Sequence, residues 1–504
     1  GANRLARSIA GGLGGRAAVT TASDSRFGFG LDDPPPGWRL ANPQAAKGVA
    51  AALLAGGPVA LRVEAGNASW LEGSGAPFAD QGETAVRITD RDCQGSDGEL
   101  VLHPPTLALG VGCERGAGPE ELISLAEEAI TGAGLSPFSV ACVVSLDLKS
   151  DEEAVHALAA RLGVPARFFD AKELEAMKDR LANPSSQVFK AVGCHGVAEG
   201  AALAAAGPDG ELIVPKKTSK RATSAIARSR CDIDCSNTGR MRGKLTVVGI
   251  GPGSSEWRTP EAARTLSEAT DVVGYGLYMD LIADLVEGKA LHESKMTQEE
   301  KRARKALELA AQGRNVALVS SGDAGIYALA SLVFELLDRE DRAEWNRLEV
   351  SINPGISALQ AAAARAGAPM GHDFCAISLS DLLTPFEEIE RRLRAAAESD
   401  FVIALYNPVS KRRRTQLAAA CEILLKSRPA DTPVVIARNL GRDGESVKFI
   451  PLGELTPDHA DMRTIILIGS SRTRLIERGG RGWVYTPRGY ESKMDRKKTR
   501  KASS

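Results

Sequence analysis

A chain of 504 residues is long enough for about two to four domains, each with a core of its own. Apolar residues make up 43% and charged residues 25%, ordinary values for a globular protein. The formal net charge of −1 excludes a global electrostatic pull toward nucleic acid or an anionic membrane, and no apolar run reaches membrane-spanning length.

The opening "GANRLARSIAGGLGG" has helical spacing and begins without methionine, so a longer parent chain is expected. A strand over "AAVTTASD", a turn at Pro34-Pro35-Pro36 and short alternating runs such as "AVRITDRD" give a first module over 1–105. Next, "TLALGVGCERGAGPEELISLAEEAI" reads as strand, glycine turn and helix, with Pro119 and Glu120 suited to a first helical turn. "SVACVVSLDLKSDEEAVHALAARLG" repeats that pattern, and "ELIVPKKTSKRATSAIAR" adds further strand. Strands alternating with helices predict a small α/β module over 106–229.

The polar, non-periodic stretch "SRCDIDCSNTGRMRG" marks 230–243 as a linker. Cys231 and Cys235 lie there, but no second pair or histidine cluster completes a zinc site. All eight cysteines are therefore expected to be reduced thiols of a cytoplasmic protein, and no metal is expected. Strands and helices alternate again over 244–490. The tail 491–504 is basic and is expected to be disordered and solvated.

The second half opens on "GKLTVVGIGPG", a β-branched strand running into a glycine turn, followed by a helix pattern. A phosphate cradle needs backbone N–H groups. Here Pro252 removes one, and no Lys-Ser or Lys-Thr follows as in a P-loop. A dinucleotide site is disfavoured too, because the turn is Gly-x-Gly-Pro-Gly and Val272-Val273-Gly274 occupies the next strand without an acidic end. Further strand ends meet loops at "VALVSSGDAGIYALA", "LEVSINPGISALQ", "HDFCAISLSDLLTP" and "DFVIALYNPVSKRRR", the place where open α/β sheets bind ligands. Each loop alone is a common connector; together and in this order they point to one site.

These motifs resemble the tetrapyrrole methylase family, the class III S-adenosylmethionine-dependent methyltransferases, over about Lys244 to Tyr490. The stretch "GHDFCAISLSDLLTPFEEIERRLRAAAESDFVIALYNPVSKRR" narrows the resemblance. It points to the branch that methylates carbon 17 of precorrin-3B, or of its cobalt-bearing counterpart, with ring contraction in cobalamin biosynthesis. The resemblance implies two α/β subdomains enclosing S-adenosyl-L-methionine, a precorrin substrate, a homodimer, and other enzymes of the pathway as partners.

Carried over residue by residue, Gly249, Gly251, Pro252 and Gly253 form the tight turn at the cofactor. Gly322, Asp323 and Ile326 match the second cofactor loop, Ser357 and Ala358 the third, and Tyr406 and Asn439 the last two strand-end contacts. Ala324 stands where many relatives have proline. Ring contraction needs proton transfer, for which Asp323, His372 and Asp381 are candidates; a structural histidine at a strand start explains His372 equally well. Lys411, Arg412, Arg414 and Arg438 are candidates for anchoring substrate carboxylates, the first three in a predicted first helical turn. A solvated helix face explains that basic run as well.

The first half resembles the cobalamin biosynthesis proteins related to cobalt-precorrin-5A hydrolase. The match is best from Thr106 to Arg228, and the module before it looks partial. Cys113, Glu114, Arg115, Asp147, Lys149, His195, Glu199 and Lys216 are its polar candidates, with no readable triad or metal spacing. A hydrolase and a non-catalytic corrinoid-binding module both remain open for this half.

Overall fold

Runs of β-branched residues pair into sheets, and the amphipathic stretches between them cover the faces. A computed structural model of the chain describes residues 22–490 except 296, 411 and 412, together with residues 6, 9–11 and 15. The basic tail and most of the opening helix lie outside these. The chain divides into two units, Gly1–Arg242 and Gly243–Ser504.

The N-terminal unit holds two five-stranded sheets. The first comprises β1 (Arg39–Leu40), β2 (Val59–Val63), β3 (Phe78–Ala79), β4 (Thr84–Ile88) and β5 (Glu99–His103), in the order β1-β5-β4-β2-β3. Of the strand expected over "AAVTTASD", the described end is instead a helix, Ala22–Phe27. The second sheet comprises β6 (Leu107–Cys113), β7 (Val140–Leu146), β8 (Ala166–Phe169), β9 (Glu211–Thr218) and β10 (Ala222–Arg228), in the order β8-β7-β6-β10-β9. Helices Pro119–Gly132 and Glu153–Leu162 bury Leu122, Ala126, Val155 and Leu158 against one face of it. Helix Val197–Ala206 covers the other face so closely that a Cβ at Gly110 would collide with the Ala198 carbonyl.

Of the expected linker 230–243, residues 230–242 pack into this unit. The Ile233 N–H donates to the Pro105 carbonyl at 2.9 Å, and Phe168 and Arg240 exchange two backbone hydrogen bonds of 2.8 Å. The Asp232 carboxylate accepts from Trp38 Nε1 at 2.6 Å, and the Arg240 guanidinium reaches Asp170 and Glu173 at 3.0 and 2.8 Å.

The C-terminal unit begins with five parallel strands: β11 (Lys244–Gly249), β12 (Asp271–Tyr275), β13 (Ala290–Ser294), β14 (Asn315–Ser320) and β15 (Glu349–Asn353). Their order is β13-β12-β14-β11-β15, so β11 and β14 are central and read as continuous apolar runs. A second, mixed sheet follows, in the order β17-β18-β21-β19-β20. It contains β17 (Phe374–Ser378), β18 (Val402–Tyr406), β19 (Pro433–Arg438), β20 (Ser446–Pro451) and β21 (Thr464–Ile468). A small sheet joins β16 (Gly367–Ala368) to β23 (Arg481–Tyr485), which pairs with β22 (Arg474–Arg478).

At the start of β12 the Asp271 side chain is 3% exposed, and its carboxylate accepts from His292 Nε2 at 2.8 Å, Arg314 at 2.8 Å and Thr270 Oγ1 at 2.9 Å. Burial opposes its ionisation, but these donors outweigh burial and hold its pKa below the usual carboxylate value. The stabilisation is therefore complete above the unfolded value of about 3.9 and is lost as pH falls through the folded one. Asp271→Asn is expected to destabilise the C-terminal unit by about 1.5–3 kcal/mol at pH 7. Urea unfolding of the full chain at pH 7 and pH 3 checks this: the gap between wild type and variant should shrink at the lower pH. An equal gap at both would assign the effect to packing.

Candidate functional site

Three strand ends of the parallel sheet meet backbone against backbone. A Cβ on Gly249 would lie 2.8 Å from the Gly322 carbonyl oxygen and 2.9 Å from both Ala324 N and Gly355 N. One on Gly355 would collide with the same Gly322 oxygen. Gly251 and Gly322 exchange backbone hydrogen bonds of 3.1 and 2.8 Å, both with positive φ (77° and 71°), which glycine adopts without penalty. The loops after β11, β14 and β15 thus form one glycine-lined cradle.

Asp323 ties this cradle together. One carboxylate oxygen accepts from Gly325 N at 2.8 Å and the other from Gly355 N at 3.0 Å, joining the loops after β14 and β15. Ser357, buried, caps helix Ala358–Ala366 in a capping box with Gln360. Ile326 is partly exposed at 37% on the loop after β14.

The mixed sheet supplies the opposing loops. Arg442, on the loop after β19, donates through Nε to the Pro252 carbonyl at 2.7 Å and through a terminal nitrogen to Ser321 Oγ at 3.1 Å. The adjoining Gly441 presses on the same turn, where a Cβ would lie 2.7 Å from Ser254 N. Asn439 has φ +52° and is buried, and its Oδ1 has no hydrogen-bond partner among the described residues. Tyr327 and Tyr406 bring their rings to 5.1 Å; Tyr327 Oη donates to the Ala376 carbonyl at 2.9 Å, and Tyr406 Oη accepts from Leu359 N at 3.2 Å. Burial pushes both phenols above the ordinary tyrosine value, so both hold their protons at neutral pH. Five non-glycine residues among those described have positive φ; Tyr327, Asn407 and Asn439 sit on these strand-end loops. Such backbone concentrates where a site over-determines it.

The other expected residues are dispersed. His372 precedes β17, at the end opposite the strand-end loops, and is exposed beside Asp373 (3.3 Å). Asp381 follows β17, is exposed, and accepts from Gln416 Nε2 at 2.8 Å. Lys411 and Arg412 lie outside the described residues. The helix begins only at Thr415, so Arg414 stands before its first turn rather than in it, paired with Asp458. Arg438 pairs with Asp461 at 2.8 Å. Within the basic run, sequence reasoning did not single out Arg413, which is half-buried and donates to Ser380 Oγ at 2.9 Å and the Asn407 carbonyl at 2.8 Å, joining the loops after β17 and β18. It also passed over Arg442. The signal for Arg442 was an arginine beside glycine in "NLGRDGE", directly after a strand.

In the N-terminal unit Cys113 ends β6, and burial pushes its thiol up. Glu114 pairs with Arg221 at 3.0 Å; Arg115 reaches Asp151 at 2.6 Å and Glu152 at 3.1 Å, and Lys149 reaches Glu152 at 3.3 Å. Asp147 opens the short turn after β7. His195 Nδ1 lies 2.9 Å from the Glu175 carboxylate, with Phe189 stacked on its ring at 4.5 Å. Glu199 is buried and accepts from Asn183 N, Asn183 Nδ2 and Lys216 N at 2.8–2.9 Å. These polar groups mostly bind one another. No group of three or more metal-ligating side chains occurs among the described residues.

Comparison with known proteins gives the two units separate relatives. Residues 107–227 match the family Cobalamin synthesis G C-terminus, and residues 244–456 match the Tetrapyrrole (Corrin/Porphyrin) Methylases. A precorrin-3B C(17)-methyltransferase of Sinorhizobium sp is 49% identical over 251 residues, which is 50% of this chain and 98% of that protein. A probable cobalt-factor III C(17)-methyltransferase of Salmonella typhimurium is 44% identical over 246 residues, 49% of this chain and 99% of the other. The crystal structure of the methyltransferase CobJ is similar at 48% identity, covering 49% of this chain and 100% of that one, with a TM-score of 0.46. Near-complete coverage of a relative at 49% identity, on the half that carries the glycine cradle, decides the matter: the chain belongs to the tetrapyrrole (corrin/porphyrin) methylases.

Proposed function

We propose that the C-terminal unit is an S-adenosylmethionine-dependent C-methyltransferase acting in cobalamin biosynthesis. Its substrate in this reading is precorrin-3B or the cobalt-bearing counterpart, methylated at carbon 17 with ring contraction. The observation that carries the reading is the packing of the strand-end loops at Gly249 and Gly355, where a Cβ would strike backbone, with Gly322 at positive φ between them and a buried Asn439 Oδ1 that has no partner among the described residues. The same reading makes the protein a cytoplasmic homodimer; no helix among the described residues is long and apolar enough to cross a membrane.

The residues present fit that cofactor. When bound, S-adenosylmethionine supplies an electrophilic methyl group on a sulfonium and leaves as a neutral thioether. The close-packed glycine loops present backbone rather than side chains at the strand ends to a phosphate-free ligand, and Asn439 Oδ1 offers a buried acceptor to an amine donor. Arg442 fixes the Pro252 carbonyl, which accounts for a glycine turn that dispenses with one N–H. Tyr327 and Tyr406, held protonated, join the loop after β14 to the mixed sheet without adding negative charge. Holding a pyrrolic carbon in line with the methyl then provides most of the rate, since orientation is worth about 7–11 kcal/mol in well-aligned systems. Asp323 acts as a positioning residue here, because both of its oxygens already accept backbone N–H groups.

For the N-terminal unit the internal pairing of Glu152, Glu175 and Glu199 supports a non-catalytic corrinoid-binding module over a hydrolase. The whole reading is tested by incubating purified protein with S-adenosylmethionine and either precorrin and following product mass. Gain of one methyl group on one of them is expected, and no methylated product from either overturns it.

A fragment of residues 243–504 is expected to bind S-adenosylmethionine as tightly as the full chain, and residues 1–242 not at all. Titration calorimetry checks this; binding that needs both halves would place part of the site outside the cradle. Arg442→Ala and Asp323→Ala should each cost about 1.5–3 kcal/mol of cofactor binding, tenfold or more in affinity. Wild-type affinity in either variant would leave that residue without a part in shaping the cradle.

A further inference from the structure

Two cysteines far apart in sequence meet in the N-terminal unit. Cys142 is fully buried in β7, the strand between β6 and β8. Cys235 lies on the segment after β10 and packs against the same apolar cluster that contains Ala141 and Cys142. Its Sγ stands 3.1 Å from the carbonyl oxygen of Ala141, the residue bonded to Cys142. The segment cannot drift from this position, because Ser229 and Ile233 donate to Thr106 and Pro105 at 2.8 and 2.9 Å and Arg240 pairs with Phe168. All eight cysteines are free thiols.

We propose that Cys142 and Cys235 form a reversible dithiol–disulfide site, oxidised by low-molecular-weight disulfides, that clasps residues 229–242 covalently to the central strands of this unit. The two thiols are not equivalent. Cys235 is only half-buried and within reach of a reagent, whereas Cys142 is sealed from solvent. Hydrogen bonding with Cys142 favours the Cys235 thiolate, while the same contact and burial push Cys142 up. Arg167, on β8 with a buried Nε that lacks a partner among the described residues, favours the thiolate at both positions. Asp234 opposes it at Cys235, but that carboxylate already accepts from Ser236 and Asn237. Cys235 is therefore the attacking thiol and Cys142 the resolving one.

In the first step the Cys235 thiolate attacks one sulfur of the external disulfide. A sulfur–sulfur bond to Cys235 forms, the external one breaks, and a thiolate leaves with the electron pair. Cys142 then attacks the Cys235 sulfur, forming the internal disulfide, and the second thiolate expelled takes up the Cys142 proton. The two cysteines lose two electrons, and the external disulfide becomes two thiols.

The test treats the full-length protein with glutathione disulfide, blocks remaining thiols, and maps peptides without reduction. The expected product joins the Cys142 and Cys235 peptides with loss of two hydrogens, reverses with dithiothreitol, and melts several degrees above the reduced protein. In Cys142→Ala, glutathione should remain trapped on Cys235, and Arg167→Gln should slow the reaction of the wild-type pair several-fold. A Cys231–Cys235 disulfide, glutathione retained on Cys235 of the wild type, or no reaction at Cys235 overturns the proposal. Because the principal readout is the wild-type protein, misfolding of a variant does not obscure the result.

Discussion

Backbone touching backbone at the ends of β11, β14 and β15 is the constraint on which the C-terminal unit depends. Gly249, Gly322 and Gly355 approach so closely that a single methyl group at the first or last would separate the loops. Everything around them serves that approach. Asp323 spans two of the loops, Ser357 starts a helix from the third, and Arg442 reaches over from the mixed sheet to hold the Pro252 carbonyl. The proline in the turn is then no defect. What the loop contributes to its neighbours is a carbonyl, and the missing amide costs nothing there.

The local parts of this arrangement were legible in the sequence, because strand, glycine turn and helix are encoded by neighbouring residues. The α/β class, the order of motifs and the Ser357 cap all follow from periodicity and turn chemistry. The arginines did not follow. A run such as "SKRRR" draws attention by density, yet within it Arg414 answers to Asp458 while Arg413 joins two loops. Arg442 acquires its meaning from Pro252 and Ser321, 190 and 121 residues away, a separation no window can scan.

Misreading residues 230–242 as a linker has a similar cause. The stretch has few apolar residues and no period, the usual marks of an unpacked connector. Its attachments run instead through backbone pairing with Phe168, one buried isoleucine and charged side chains, none of which produces a periodic signal. Polar composition therefore failed as a guide to exposure here. Glu199, a polar candidate in the sequence, is likewise buried, its three N–H donors supplied by Asn183 and Lys216.

Those attachments bear on how the chain is made. Trp38 donates to Asp232, a residue 194 positions later. At a synthesis rate of about 5–20 residues per second, the indole waits roughly 10–40 s on the ribosome for its partner. Until then the first sheet meets the second only through earlier contacts, such as the Asp92 N–H to the Gly134 carbonyl at 3.0 Å and the Ser136 N–H to the Asp90 carbonyl at 2.8 Å. Since β11 begins just after residues 230–242 end, the Asp232 contact becomes available only shortly before the first strand of the methylase half. The translation schedule thus hands one folding problem to the next with almost no interval between them.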